Sequence, residues 1–398
     1  MIDTGVDVSH PDLQGSIWVN EDEIPGNGLD DDGNGYADDV NGWNFYHNNN
    51  QIYNASEDSH GTHGAGTIRA SSGNGVGISG MIPGDRVKLM LVKALGGGDG
   101  EGNTAALIKA IRYAEDNGAS ICNLSLTSPT NDQALYCAIR DSSMLFVAAA
   151  GNDGKDIDRT PVYPASYELD NVISAANISC GGELHESSNY GVGSVDLAAP
   201  GSYILSTTPG NTYSYMTGTS MAAPMVTGAA AMVWSHFDGI GAAEVKEILL
   251  NSVTPLDSLS GKVKTGGMLN VGAALRYDLG TLSGKAFEAG GHRPENGTAP
   301  HLEARTERTL AGLYLKVRVV DIDGDLDVLY YAPGERNAEW FRGREDCQSF
   351  TVSDRDIAAF RIDQAGVYTF YARDRRGNDT AYTVRIADLR EGPGVLDQ

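Results

Sequence analysis

The sequence predicts an α/β chain: a doubly wound parallel sheet with flanking helices, followed by a small antiparallel β-sandwich. Three observations carry this. Up to about residue 277, short apolar runs alternate with amphipathic helical stretches. Beyond residue 300 the hydrophobic period changes to two. The length of 398 residues exceeds one typical core and suits two domains.

Val87–Val92, Ser120–Ser125 and Met144–Ala149 are apolar runs of the length and kind expected for buried parallel strands. Thr104–Asn117 places Ala105, Ile108, Ile111 and Ala114 on one helical face, with Gly118 past its end. Gln133–Ser142 is a second helical stretch. Ser220–Trp234, rich in Ala and Met, is hydrophobic nearly all round and predicts a buried helix. In such sheets, sites gather at the carboxyl ends of strands. The first domain is expected over 1–277, a Gly- and Pro-containing linker over 278–300 and the sandwich over 301–390. In the last, Leu315, Val317 and Val319 alternate with Lys316 and Arg318, as do Tyr368, Phe370 and Ala372 with Thr369, Tyr371 and Arg373. Tyr382, Val384 and Ile386 repeat the pattern after a turn at Arg376–Asp379.

A net charge of −24 repels a phosphate backbone and argues against nucleic-acid binding. No run reaches the roughly 18 apolar residues of a membrane span. Cys122, Cys137, Cys180 and Cys347 lack CxxC spacing, so they permit disulfides without implying them. Gly96–Gly100 lacks the Gly-Lys-Ser/Thr ending of a phosphate loop. The start shows no basic segment followed by an apolar run, and sequence upstream is expected to be missing.

Three segments carry chemistry: Met1-Ile2-Asp3-Thr4-Gly5, His60-Gly61-Thr62-His63-Gly64 and Gly218-Thr219-Ser220-Met221-Ala222-Ala223-Pro224. They supply a carboxylate, an imidazole and a hydroxyl, the groups that activate a serine nucleophile. Each has a plainer reading on its own. Asp3 suits a turn and Ser220 a helix N-cap. His60 and His63 have zinc-ligand spacing, although Gly61 stands where HExxH carries glutamate. Asn27–Asp39 is a separate ion signal: Asp30, Asp32 and Asn34 followed by Gly35 match the first half of an EF-hand loop. Asp38 adds a ninth-position ligand, and Asn41 replaces the closing glutamate. Calcium is therefore expected there, with an acidic surface turn as the alternative; no organic cofactor is expected. Asp321–Asp327 is a weaker acidic run of the same kind.

The wording around the three segments, with Asp7–Leu13 after the first and Ala148–Gly154 as a fourth block, closely resembles the subtilases, the subtilisin-like serine proteases of peptidase family S8. The order Asp, His, Ser is that of subtilisin. Gly266–Leu275 looks like the close of a subtilase domain, and the sandwich resembles immunoglobulin-like modules of bacterial surface and secreted proteins. The resemblance implies a serine endopeptidase in which Asp3 orients His60, His60 is the base and Ser220 the nucleophile. Asn152 and the Ser220 N–H would form the oxyanion hole, with His63 structural. Met225 stands where many relatives carry histidine.

Extended peptide would pair with Ser125-Leu126-Thr127 and Gly100-Glu101-Gly102, giving broad cleavage of unfolded or flexible proteins. Thr127 replaces a frequent glycine and narrows the expected pocket; Glu101 points to basic side chains nearby. Asp12 matches a family calcium position, with carbonyls from Gly73–Val76. The family also implies an upstream propeptide, a further stretch of the central strand, and a secreted or cell-surface location. A two-residue strand cannot hold itself by pairing, so Asp3 is expected on a fraying end. That frames an alternative: a catalytically impaired fragment that binds proteins or surfaces.

Overall fold

The apolar runs of the first unit, Met1–Gly290, become strands of one sheet. The computed structural model describes residues 1–97, 100–283, 299–309, 312–321, 326–342, 344, 347–353, 357–362 and 364–386. The strands of this unit are β1 (Ile2–Asp3), β2 (Val92–Lys93), β3 (Leu95–Gly96), β4 (Glu101–Gly102), β5 (Ile121–Leu124) and β6 (Leu145–Ala149). They continue with β7 (Val172–Ile178), β8 (Leu197–Pro200), β9 (Ile204–Thr208), β10 (Thr212–Met216), β11 (Thr254–Pro255) and β12 (Gly267–Met268). The helices are α1 (Ser59–Arg69), α2 (Thr104–Asp116), α3 (Gln133–Arg140), α4 (Thr219–His236), α5 (Ala242–Asn251) and α6 (Val271–Ala274).

The sheet order is β11-β12-β8-β7-β6-β5-β1-β2. Pairing is parallel throughout except between β11 and β12. All of β6 and β7 is buried, which is why these strands are apolar without alternation. Helix α4 packs Ala222, Ala223, Val226, Ala229, Ala230 and Val233 into one cluster with Leu145, Val147, Ile173 and Leu197. Its alanines let the helix lie close on the sheet.

The expected strand Val87–Val92 shortens to β2, with Leu89 forming only an isolated bridge to Ile17. The expectation of a fraying Asp3 is corrected. Ile2 pairs with both Val92 and Leu124, and Asp3 with Lys93, so β1 is held from two sides. Met1 and Ile2 are buried, and the Met1 ammonium donates to the Met90 carbonyl at 2.8 Å. Cys122, Cys137 and Cys180 are free thiols, and burial pushes the Cys122 thiol up to about 12. No helix among the described residues is long and apolar enough to cross a membrane.

The second unit, Gly291–Gln398, holds β13 (His301–Thr309), β14 (Gly312–Val320), β15 (Leu326–Pro333), α7 (Ala338–Phe341) and β16 (Gln348–Ser349). It closes with β17 (Ile357–Arg361), β18 (Gly366–Asp374) and β19 (Asp379–Ile386). Two small antiparallel sheets result, β13-β14-β17 and β16-β15-β18-β19. Leu302, Leu315, Val317, Val319, Phe370, Ala372 and Val384 form their shared core. Strand β18 departs from one-sided alternation: Thr369, Phe370, Tyr371 and Ala372 are all buried. The reason is α7, whose Phe341 stacks on Tyr371 at 4.9 Å and covers the second face. Residues 284–298 of the expected linker and 322–325 of the acidic run lie outside the described residues.

Candidate active site

Asp3 ends β1 at its carboxyl end, where the sheet opens onto α1. Its Oδ1 accepts the Thr4 N–H and lies 2.7 Å from His60 Nδ1, in the first turn of α1. Asp3 is buried, and the His60 side chain is 33% exposed. The Asp3 carboxylate raises the His60 imidazole above its ordinary value, against the opposing effect of burial. With Nδ1 donating to Asp3, Nε2 is left as the basic nitrogen. A zinc pair is not what forms: His63 is buried, and its Nε2 lies 2.9 Å from the Ile204 carbonyl.

The approach of the two segments depends on glycine. Gly5 has φ +117°, and a Cβ there would lie 2.7 Å from Asp58 Cγ. A Cβ on Gly61 would run into the Gly5 carbonyl. The Gly61 N–H donates to Thr4 Oγ1 at 3.1 Å, tying the turn after Asp3 to the helix that carries His60.

Ser220 lies in the first turn of α4 and its Oγ donates to the Ser125 carbonyl at 3.3 Å. Pro224, one turn along, has no N–H to bond the Ser220 carbonyl. The Ser125 hydroxyl does so instead, at 3.0 Å. Asn123 Nδ2 donates to Ser125 Oγ at 3.0 Å, and Thr227 Oγ1 donates to Asn123 Oδ1 at 2.9 Å. This buried chain ties α4 to β5, and the sequence reading missed it; Pro224 inside an otherwise helical run was its one visible trace.

Asn152 follows β6 and is exposed. Its Oδ1 accepts the Thr219 N–H at 2.8 Å and the Thr219 hydroxyl at 3.1 Å. The Gly151 N–H in turn donates to Thr219 Oγ1 at 3.0 Å. With the carbonyl end engaged, the amide NH₂ is presented as a donor beside the electropositive start of α4.

A cleft of about 860 Å³ is lined by His60, Glu57, Gly100–Gly102, Ser125–Thr127 and Met216. All six expected substrate-contact residues therefore share one cleft with His60. The γ-methyl of Thr127 stands 3.5 Å from where a Gly151 side chain would begin.

The acidic loop is arranged differently from the expectation. Asp30 accepts the N–H groups of Gly33, Asn34 and Gly35, and Asp38 those of Gly26, Asn27 and Gly28, so both carboxylates close turns. The carboxylates that converge are Glu23, Asp32 and Asp39, with oxygens within 4.8 Å of one another. Asn34 donates its amide to Asp32 at 2.9 Å and Asp39 at 3.0 Å. Only Asp32 of the four expected ligands belongs to this group. Asp12 is buried, and its carboxylate accepts Asn74 Nδ2 at 2.8 Å and the Ile78 N–H at 2.9 Å, so the Gly73–Val76 loop does wrap it.

An acid-oriented imidazole, a hydroxyl at a helix start and an amide bonded to that same helix start are groups of the kind a serine hydrolase uses. Residues 1–273 match the model of the subtilase family, so the chain belongs to that family and is a serine-type peptidase by descent. It is 38% identical over 267 residues to the major intracellular serine protease of Bacillus subtilis (strain 168), covering 65% of this chain and 76% of that protein. Thermitase of Thermoactinomyces vulgaris is 33% identical over 285 residues, 70% of this chain and 88% of the relative. Among solved structures, a cold adapted subtilisin-like serine proteinase superposes with a TM-score of 0.51 at 27% identity, over 68% of this chain and 85% of that one.

Proposed function

We propose that the chain is a serine endopeptidase in which Asp3, His60 and Ser220 act as the triad and Asn152 with the Ser220 N–H as the oxyanion hole. The observation that carries this is the 2.7 Å contact of Asp3 with His60 Nδ1, which leaves Nε2 free as base. Ser220 Oγ turns from the Ser125 carbonyl toward Nε2 and attacks the scissile carbonyl, and its proton passes to His60. The developing oxyanion meets the Asn152 amide and the Ser220 N–H. His60 then gives the proton to the leaving amine, and water repeats the sequence on the acyl-enzyme. Extended, flexible polypeptide fits the cleft. A serine-directed fluorophosphonate tests the reading: one adduct by intact mass, lost in Ser220→Ala, is expected. No adduct would refute it.

The acidic loop is read as a structural calcium site formed by Glu23, Asp32 and Asp39, since hard oxygen donors suit that ion. Glu23 and Asp39 are buried, which favours a cation among them. EGTA should lower Tm of the native chain and leave Asp39→Asn unmoved; an unmoved native Tm would refute it. We read the second unit as an immunoglobulin-like accessory module, on its strand pattern. A secreted or cell-surface location is part of the proposal. One relative is named as intracellular, and cell fractionation decides the point.

A further inference from the structure

We propose that Lys93 is a positioning residue that keeps Asp3 against His60, by fastening the chain just after Asp3 to the chain just before His60. The inference rests on the triad reading above and deepens it. The Lys93 side chain is fully buried, yet it ends among three acceptors. Its ammonium donates to the Thr4 carbonyl, to Asp58 Oδ1 at 2.5 Å and to Glu57 Oε1 at 3.2 Å. A lysine has three N–H donors, and all three are used.

The acceptors come from two places that must stay together. Thr4 follows Asp3, while Glu57 and Asp58 immediately precede Ser59 and His60. Lys93 itself pairs with Asp3 in the sheet. Desolvating an ammonium costs several kcal/mol, and an apolar replacement of the whole pair is often no less stable, so bulk stability is a poor account of this lysine. Position is a better one. The other fasteners between these two stretches include the Gly61 N–H to Thr4 Oγ1, the Asp7 N–H to Thr62 Oγ1 and the Val6 N–H to the Ile52 carbonyl, all bonds without a cation. Without Lys93, the Thr4 carbonyl loses this donor and the buried Asp58 carboxylate loses its cation. The turn and the helix start would then separate, and a 2.7 Å contact does not survive a 1 Å displacement.

Charge alone makes the opposite prediction, which gives the test its sign. The charged and titratable groups around His60 are Asp3 on β1, Glu57 and Asp58 before α1, His63 one turn along it and Lys93 on β2. Glu101 and Asp132 line the same cleft. Removing only the positive charge of Lys93 leaves a more negative surrounding and raises the His60 pKa. Losing the Asp3 contact lowers it toward the ordinary value of about 6.5.

His60 should be titrated by NMR in the full native chain and in Lys93→Met, alongside the pH profile of kcat/KM. The expected result is a fall in the His60 pKa, with kcat reduced about 10- to 100-fold and KM within about twofold. A His60 pKa that rises or stays put overturns the proposal. Should Lys93→Met not fold, Lys93→Met/Asp58→Asn removes both charges together and leaves no unpaired carboxylate buried there. Positioning still predicts the fall there, and an unchanged titration still overturns it. The titration needs no turnover. A native chain inert to fluorophosphonate would refute the protease reading, while a His60 pKa that falls in the variant would keep this one.

Discussion

Replacing Asn152 by Ala removes an exposed side chain whose Oδ1 takes two bonds from Thr219, and with it the NH₂ proposed to meet the oxyanion. Because the buried Thr219 N–H and hydroxyl lose this acceptor, the fold should lose about 1–3 kcal/mol even though Asn152 itself is exposed. The transition state should lose a further amount of its own. One oxyanion donor is worth about 2.7–4 kcal/mol, a figure established on a subtilisin, so kcat should fall about 100- to 1000-fold with KM little changed. Thr219→Val makes an internal comparison. Asn152 then keeps its 2.8 Å bond from the Thr219 N–H but loses the 3.1 Å bond from the hydroxyl. The buried Gly151 N–H loses its acceptor. That orphaned donor costs about 1–3 kcal/mol of stability, whereas a half-held amide should cost kcat only about tenfold. Steady-state kinetics on a chromogenic tetrapeptide, with a thermal melt of each variant, separates the two effects. If Asn152→Ala retained more than about a tenth of native kcat, or acted through KM, the oxyanion assignment would be wrong.

The raised His60 pKa places the acid limb of kcat/KM above the ordinary imidazole value, since only neutral His60 accepts a proton. The stabilisation from the charged pair has the opposite sense: it is fully present below about pH 6.5 and is lost as pH rises through the raised value. Asp3→Asn should move the limb to lower pH, and an unmoved limb would separate Asp3 from His60. Thr127→Gly should open the cleft beside Gly151 and raise kcat/KM for bulky P1 residues over Ala by about tenfold. A peptide library with an unchanged P1 profile counts against that role for Thr127. Peroxide should inactivate the enzyme, because sulfoxide at buried Met221 would crowd the nucleophile. Full activity with Met221 shown to be oxidised by mass spectrometry would contradict this.

The parts of the site that read clearly in the sequence are those where chemistry and backbone demand the same short segment. Asp3 needs the glycine that follows it, since Gly5 adopts φ +117° against Asp58. Ser220 needs small neighbours, since α4 lies on buried strands. Such constraints act over a few residues and leave a local trace. The same reasoning placed β5, β6 and α2 to within a residue or so, because apolar runs and helical faces are local too. Where it failed, the determinant lay across the fold. No feature near Ile2 indicates that Val92 and Leu124 will hold it from both sides. The acidic loop resembled an EF-hand until Glu23 and Asp39 entered from beyond the motif and Asp30 and Asp38 turned to backbone N–H groups. Lys93 is the sharpest case. In the sequence it is one lysine directly after the apolar run Val87–Val92, with no motif around it. In the fold it is fully buried and joins Thr4 to Asp58, residues 54 apart in the chain by their numbering. A motif names the groups that react; what holds them to within an ångström is contributed from elsewhere in the chain.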